Sequence, residues 1–355
     1  MAAAAGEAEA EEECPELISA RVPVTILTGF LGSGKTTLLH HVLATEHHLR
    51  IAVIVNEFEF GRAIEKGLTL KSSQKPDDEW LELNNGCMCC TAQSQTVQAL
   101  ERLMARKGTF DLVLVETAGL ADPGPVAAMF WQDEAVCGSL FLSGILTLVD
   151  AKNVGRYLRD PQLAGEAARQ ILMADRVVLN KCDIATAAEQ RAALAEVRRV
   201  NPVAPVVHAS HARLENLREL LFLNTTRRLT ELEHLHPTGA PAGVTAVSLE
   251  FFEQPRLLAL RDPGDVDAIC RELLYKDHDP PFEVLRCKAA LWVRRAGHYS
   301  LLQLQTIGEL FDATPMEGQT VPLGCSRVLI LGKELDREVL RNIFLQYLRC
   351  DDAAP

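Results

Sequence analysis

The stretch that most narrows what this chain can fold into is Gly29-Phe30-Leu31-Gly32-Ser33-Gly34-Lys35-Thr36, with Thr37 behind it. VTILT before it reads as a buried strand, and TTLLHHVLAT after it as a helix. A glycine-rich turn between strand and helix lets backbone N–H groups point inward around phosphate oxygens, and the helix N-terminus adds partial positive charge. The pattern fits the phosphate-binding P-loop, G-x-x-x-x-G-K-[ST]. It assigns the cradle to residues 29–34, the β and γ phosphates to Lys35, magnesium to Thr36 and the α phosphate to Thr37.

Around this motif, apolar runs alternate with helical stretches: VPVTILTG, IAVIVNE, FDLVLVETAG, ILTLVD, DRVVLNK and APVVHAS. Runs this continuous suit strands buried on both faces, and the amphipathic segments between them, 91–107 and 185–200 among them, suit covering helices. The expected class is therefore α/β, a P-loop NTPase domain with a largely parallel sheet, over residues 22–235. HPTGAPAG at 236–243 reads as a linker. Residues 244–350 read as a smaller α+β domain: strands VTAVSLEF, EVLRCKAALWV, HYSLLQLQ and SRVLILG, a helix over 263–275 and another from Asp336.

Residues 1–21, rich in Ala and Glu, are expected to be a disordered acidic tail. It lacks the basic start and apolar core of a signal peptide, so the expected compartment is cytoplasm or nucleus. A net charge of −12 disfavours a partner held by nucleic-acid phosphates. The apolar stretch over 140–149 is short of the about 20 residues a membrane span needs. Ten cysteines without a secretory signal are expected to be reduced thiols, so a cluster among them signals metal or redox chemistry.

A P-loop site needs an acid at the end of a neighbouring strand, and Glu116 closes FDLVLVE, with Gly119 placed for its N–H to sense the γ-phosphate. Lys35, Thr36 and Glu116 are the residues expected to carry hydrolysis. Asp111 lies at the wrong end of that strand and reads as a turn or cap. Base choice comes from Asn180-Lys181-Cys182-Asp183, the N-K-x-D pattern, because one carboxylate can accept from two guanine N–H groups that adenine lacks. Ala209 and Ser210 are a weaker base-loop contact. GTP with Mg2+ is thus expected rather than ATP. No catalytic glutamine or arginine finger is identifiable, so slow intrinsic turnover is expected.

Asn85-Gly-Cys87-Met-Cys89-Cys90 places three thiols in four residues. Thiolates favour Zn2+, Cu+ or iron–sulfur chemistry over magnesium, and an incomplete set with Glu57, a histidine, water or a partner's ligand in the remaining position suits a metal that must leave again. A Cys89–Cys90 redox pair and buried inert thiols remain the alternatives. The other seven cysteines read as packing residues, and His40-His41 and His47-His48 as surface residues.

TGFLGSGKTTLL, VNEF, GCMCC, ETAGLADP and NKCD, in this order, resemble the CobW-type metallochaperone GTPases, relatives of UreG and HypB, and SRVLILGKELD resembles their C-terminal domain. The resemblance implies a GTPase that loads zinc at Cys87, Cys89 and Cys90 and hands it to a client, with Asn56 and Glu57 in the first switch. Where the family usually reads Asn-Glu-Phe-Gly-Glu, this chain has Glu59 and Phe60, which sets its second switch glutamate apart. CPELI, from Cys14 to Ile18, is similar to the docking peptide of the family's eukaryotic zinc-regulated members, which implies type 1 methionine aminopeptidase as client. A metal-independent regulatory GTPase and a chaperone for cobalt or another metal are the alternatives.

Overall fold

The computed structural model describes residues 21–45, 49–55, 110–132, 140–214, 216–223, 244–252, 257–262, 264–275, 282–295, 298–315 and 325–351. In its first half the strands are β1 (Val22–Gly29), β2 (Ile51–Val55), β3 (Leu112–Glu116), β4 (Leu140–Asp150), β5 (Arg176–Asn180) and β6 (Val206–His208). They pair in the order β2-β3-β1-β4-β5-β6, every neighbour parallel. The helices here are α1 (Lys35–Ala44), α2 (Gly124–Gln132), α3 (Val154–Tyr157), α4 (Ala164–Leu172), α5 (Ala187–Val200) and α6 (Leu217–Leu221).

Both faces of a parallel sheet must be covered, which is why its strands read as unbroken apolar runs. Along β1 alternate residues divide between two cores, as a period of two requires. Val24 and Ile26 pack with Ala127, Met129 and Phe130 of α2. Leu27 packs on the other side with Leu38, Leu39 and Val42 of α1 and with Leu220 and Leu221 of α6. From β1 the chain runs to β2 and β3 on one side, then crosses from β3 to β4 on the other side of β1, and the crevice beyond the C-terminal end of β1, where the order reverses, is where such sheets hold ligands.

The second half contains β7 (Val244–Phe251), β8 (Leu257–Leu260), α7 (Asp265–Leu274), β9 (Glu283–Arg295), β10 (His298–Ile307), β11 (Leu310–Pro315), β12 (Ser326–Lys333), α8 (Arg337–Tyr347) and β13 (Leu348–Asp351). The order is β11-β10-β9-β12-β7, antiparallel throughout, with β8 on the far end of β9 and β13 paired to β8. Helices α7 and α8 cover one face, where Phe251 and Phe344 meet at 5.6 Å between ring centroids. Asp336 caps α8, its Oδ1 accepting from the N–H groups of Glu338 and Val339. Cys270, Cys287 and Cys325 are buried free thiols, and burial, with Asp267 adding, pushes the Cys270 thiol up to about 12. Among the described residues no helix is long and apolar enough to cross a membrane.

The two sheets meet through a buried carboxylate. Asp175, in the turn before β5, accepts from Arg286 Nη2 at 2.8 and 2.9 Å and also from Lys288 Nζ, both on β9. Ile307 of β10 joins the apolar core that includes Met129 and Phe130 of α2.

Candidate functional site

The turn between β1 and α1 follows from its glycines. Gly34, the residue before α1, has φ 108°, and a Cβ there would lie 2.4 Å from Asn180 Nδ2, so glycine is required on conformational and steric grounds alike. Leu38 N–H donates to the Gly34 carbonyl at 2.9 Å and closes the first helical turn. Ser33 Oγ is wholly buried with no hydrogen-bond partner among the described residues, a polar atom inside the cradle. Phe30 stacks on Tyr157 of α3, ring centroids 4.2 Å apart, which fixes the outer wall of the loop. Leu31 is exposed and abuts Gly119, where a Cβ would come within 2.4 Å of Leu31 Cδ2.

Lys35 is buried and donates from Nζ to the Gly29 carbonyl at 2.7 Å. Thr36 Oγ1 donates to Glu116 Oε1 at 3.2 Å. A hydroxyl and a carboxylate from two elements thus converge beside the cradle, the hard oxygen donors that magnesium takes when it also binds nucleotide phosphates. Glu116 is 2% exposed at the C-terminal end of β3. Asp111, at the opposite end, accepts from Arg50 N–H at 2.8 Å and from Arg50 Nη2 at 2.7 Å, and the hydrogen bonds from Arg50 hold its carboxyl below the usual range against the opposing effect of burial.

At the far end of the crevice Asn180 joins three elements. Its Nδ2 donates to the Ser33 carbonyl at 2.9 Å, and its Oδ1 accepts from the Ala212 N–H at 2.8 Å. Lys181 sits at φ 64°, and its Nζ pairs with Asp150 Oδ2 at 2.8 Å. Burial raises the Asp150 carboxyl, but hydrogen bonds from Lys181, Asn153 and the Lys152 N–H outweigh it and leave it below the usual range. Asp183 Oδ1 accepts from the His211 N–H at 3.3 Å, and Cys182 N–H donates to the Ala209 carbonyl at 3.1 Å.

Asp150 and Gln170 were not singled out by the sequence. Asp150 closes the apolar run ILTLVD, a position parallel to that of Glu116, and that was the available signal. Gln170, with Nε2 donating to the Gly119 and Ala121 carbonyls, lies inside a helix and gave none. Glu57, Cys87, Cys89, Cys90 and the segment from Cys14 to Ile18 lie outside the described residues, as do Asn56 and Glu59. Among the described residues no group of three or more His, Cys, Asp or Glu is placed to hold a metal ion.

A P-loop on a parallel sheet, an acid at the adjoining strand end and N-K-x-D beside them define a nucleotide-binding protein of the P-loop class. Residues 23–208 match the family described as CobW/HypB/UreG, nucleotide-binding domain, and the chain belongs to that family. It is 39% identical over 204 residues to zinc-regulated GTPase metalloprotein activator 1 of Schizosaccharomyces pombe, covering 57% of this chain and 49% of that protein. The Saccharomyces cerevisiae protein of the same name is 37% identical over 226 residues, covering 58% and 53%. In these two matches the chain spans about half the length of its relatives. Zinc chaperone YjiA of Escherichia coli is 32% identical over 331 residues, covering 91% of this chain and 98% of YjiA. The crystal structure of Zn(II)-bound YjiA GTPase superposes with a TM-score of 0.61 at 26% identity, covering 93% and 99%.

Proposed function

We propose that this chain is a GTP-dependent zinc metallochaperone that hydrolyses GTP to GDP and phosphate and couples the change to release of zinc to a client metalloprotein. The observation that carries the reading is the joining of two recognition elements by one side chain: Asn180, from the guanine-type N-K-x-D run, hydrogen-bonds the P-loop at Ser33.

In this reading Lys35 leaves the Gly29 carbonyl for the β and γ phosphates, and the N–H groups of residues 29–34 surround them. Thr36 and Glu116 would hold magnesium, which would supply positive charge against the phosphates. Thr37 meets the α phosphate, and Gly119 presents its N–H to the γ-phosphate. Asp183 accepts from the guanine N–H groups, while Lys181, held by Asp150, lies along the base. Zinc is cargo, carried by Cys87, Cys89 and Cys90 with Glu57 in a remaining position. The zinc-named relatives support that metal over cobalt. The client is type 1 methionine aminopeptidase, docked through residues 14–18, in cytoplasm or nucleus.

The test is a zinc titration of the full chain in matched GDP and non-hydrolysable GTP forms, repeated with Cys87, Cys89 and Cys90 replaced together. A difference in zinc affinity of roughly five- to 150-fold between the two forms is expected, abolished in the triple variant. Retained zinc in the triple variant would move the metal site elsewhere. One zinc affinity in every state would show that the switch does not act through metal affinity, and no zinc binding in any state would leave a GTPase whose cysteines serve redox or packing roles.

A further inference from the structure

Helix α4 grips the loop after β3 with two adjacent residues. Gln170 Nε2 donates to the carbonyls of Gly119 at 3.2 Å and Ala121 at 3.0 Å, and Arg169 pairs with Asp122 at 3.0 Å. Gln170 is 2% exposed, and its own backbone carbonyl accepts from Thr147 Oγ1 on β4 at 2.9 Å, so the helix backbone at this point is tied to the sheet. The loop is folded tightly where the amide reaches it, with Ala121 N–H bonded to the Ala118 carbonyl at 3.0 Å. Both donors of one amide group serve two carbonyls of one turn. No apolar side chain satisfies them, and a carboxylate would face them with more acceptors.

The same helix is pinned at its C-terminal end to the antiparallel sheet. Arg286 of β9 donates to the Met173 carbonyl and to both oxygens of Asp175. The loop itself runs on through Asp122, whose Oδ1 accepts the Gly124 N–H at 2.8 Å, into α2. There Ile307 of β10 lies against the helix start, its Cγ2 3.4 Å from where a Cβ on Gly124 would stand. Residues 117–123 are therefore held on one side by a helix fixed to β9 and continue on the other into a helix resting on β10. Between those supports lies Gly119, so close to Leu31 of the P-loop that a Cβ on it would come within 3.0 Å of the Leu31 Cα.

We propose that Gln170 is a positioning residue that sets the Gly119 peptide against the P-loop, and that Arg286 and Ile307 make this setting depend on the antiparallel sheet. The sheet thereby reads whether a triphosphate or a diphosphate is bound. The inference rests on the guanine-nucleotide reading of the site. Coupling of this kind is reciprocal: whatever docks on the antiparallel sheet and shifts it changes the preference between GTP and GDP by the same factor. The elements involved are packed and hydrogen-bonded in sequence from phosphate end to sheet, a contiguous route of the kind that can carry such coupling.

The experiment measures equilibrium affinities of the full chain for GDP, a non-hydrolysable GTP analogue and ATP, in the intact protein and in Gln170→Leu, Gln170→Asn, Ile307→Ala and the Gln170→Leu, Ile307→Ala pair. Gln170→Leu is expected to change the triphosphate-to-diphosphate ratio by roughly fivefold or more while GDP affinity stays within about twofold. Gln170→Asn, which keeps the donors, retains part of the ratio. Ile307→Ala shifts the ratio as well, and the pair shifts it by less than the product of the singles because both act on one loop. A folded Gln170→Leu protein with an unchanged ratio, or with both affinities reduced equally, overturns the positioning role. Should that variant fail to fold, an unchanged ratio in Ile307→Ala overturns the link to the sheet. An intact chain that binds ATP as well as GTP overturns the guanine reading beneath it, and is told apart by needing no variant.

Discussion

The two ends of the crevice are built on opposite plans. At the base end the side chains are already satisfied by the protein: Asn180 holds the Ser33 carbonyl and the Ala212 N–H, Lys181 holds the Asp150 carboxylate, and Asp183 accepts from the His211 N–H. At the phosphate end the contacts are of the kind a ligand replaces, with Lys35 on the carbonyl of its own loop and the Thr36 hydroxyl on Glu116. One end is organised by the protein for itself, the other for an incoming anion. Recognition of the base then costs little rearrangement, while the phosphates exchange one set of partners for another, which is where a switch has to sit.

Four substitutions break or sharpen that contrast. The largest effect is expected from Asp183→Asn, which removes charge-assisted hydrogen bonds worth about 1.5–3 kcal/mol each. GTP affinity should fall roughly 100-fold, and xanthosine triphosphate, with a carbonyl where guanine has its amine, should gain. Equilibrium competition among the triphosphates checks both. Next is Gly34→Ala, whose side chain collides with Asn180 and whose φ strains an L-residue by about 1–3 kcal/mol. Nucleotide affinity should drop about tenfold or more by isothermal titration.

Asn180→Ala tests whether the base end is organised without ligand. It leaves the buried N–H of Ala212 and the Ser33 carbonyl without their partner, so the chain alone should lose about 1–3 kcal/mol in denaturant unfolding. The smallest effect belongs to Asp150→Asn. Since the Asp150 carboxyl is held below its ordinary 3.8, its contribution is complete above that pH and is lost as pH falls through the lower folded value. Acid unfolding monitored below pH 3.8 should therefore be less steep in the variant. At neutral pH the replacing amide keeps an acceptor oxygen for Lys181 and the Lys152 N–H, so the difference should be about 1 kcal/mol.

Much of the fold was legible because β1, β3 and β5 carry their burial in unbroken apolar runs and end in residues with distinct chemistry. The first five residues of β4, LFLSG, and the strands β8, β11 and β13 were not. β8 and β13 have four residues each and exist through pairing with one another, with β8 also touching β9 at Leu260 and Val293, so no local pattern announces them. In the crevice, the placement of Asn180, Lys181 and Asp183 beside the P-loop follows from a contiguous motif. Gln170 escaped because its partners lie 49 and 51 residues away in a loop, and nothing in AGEAARQIL separates a functional glutamine from a solvated one.

The Asp175 cluster sets two cations against one anion in a dry interior, and that imbalance has a calorimetric signature. Burial drives the Lys288 ammonium down to about 8, with Asp175 opposing the fall and Arg286 adding to it. Between there and the ordinary 10.5, the unfolded chain keeps a proton that the folded chain has given up. Stability contributed by this group accordingly rises with pH across that window, being lowest where Lys288 is fully charged. Folding in mildly alkaline solution expels a proton into the buffer, so the heat of unfolding should differ between two buffers of unlike ionisation enthalpy at the same pH. Replacement of Lys288 by methionine should erase that difference.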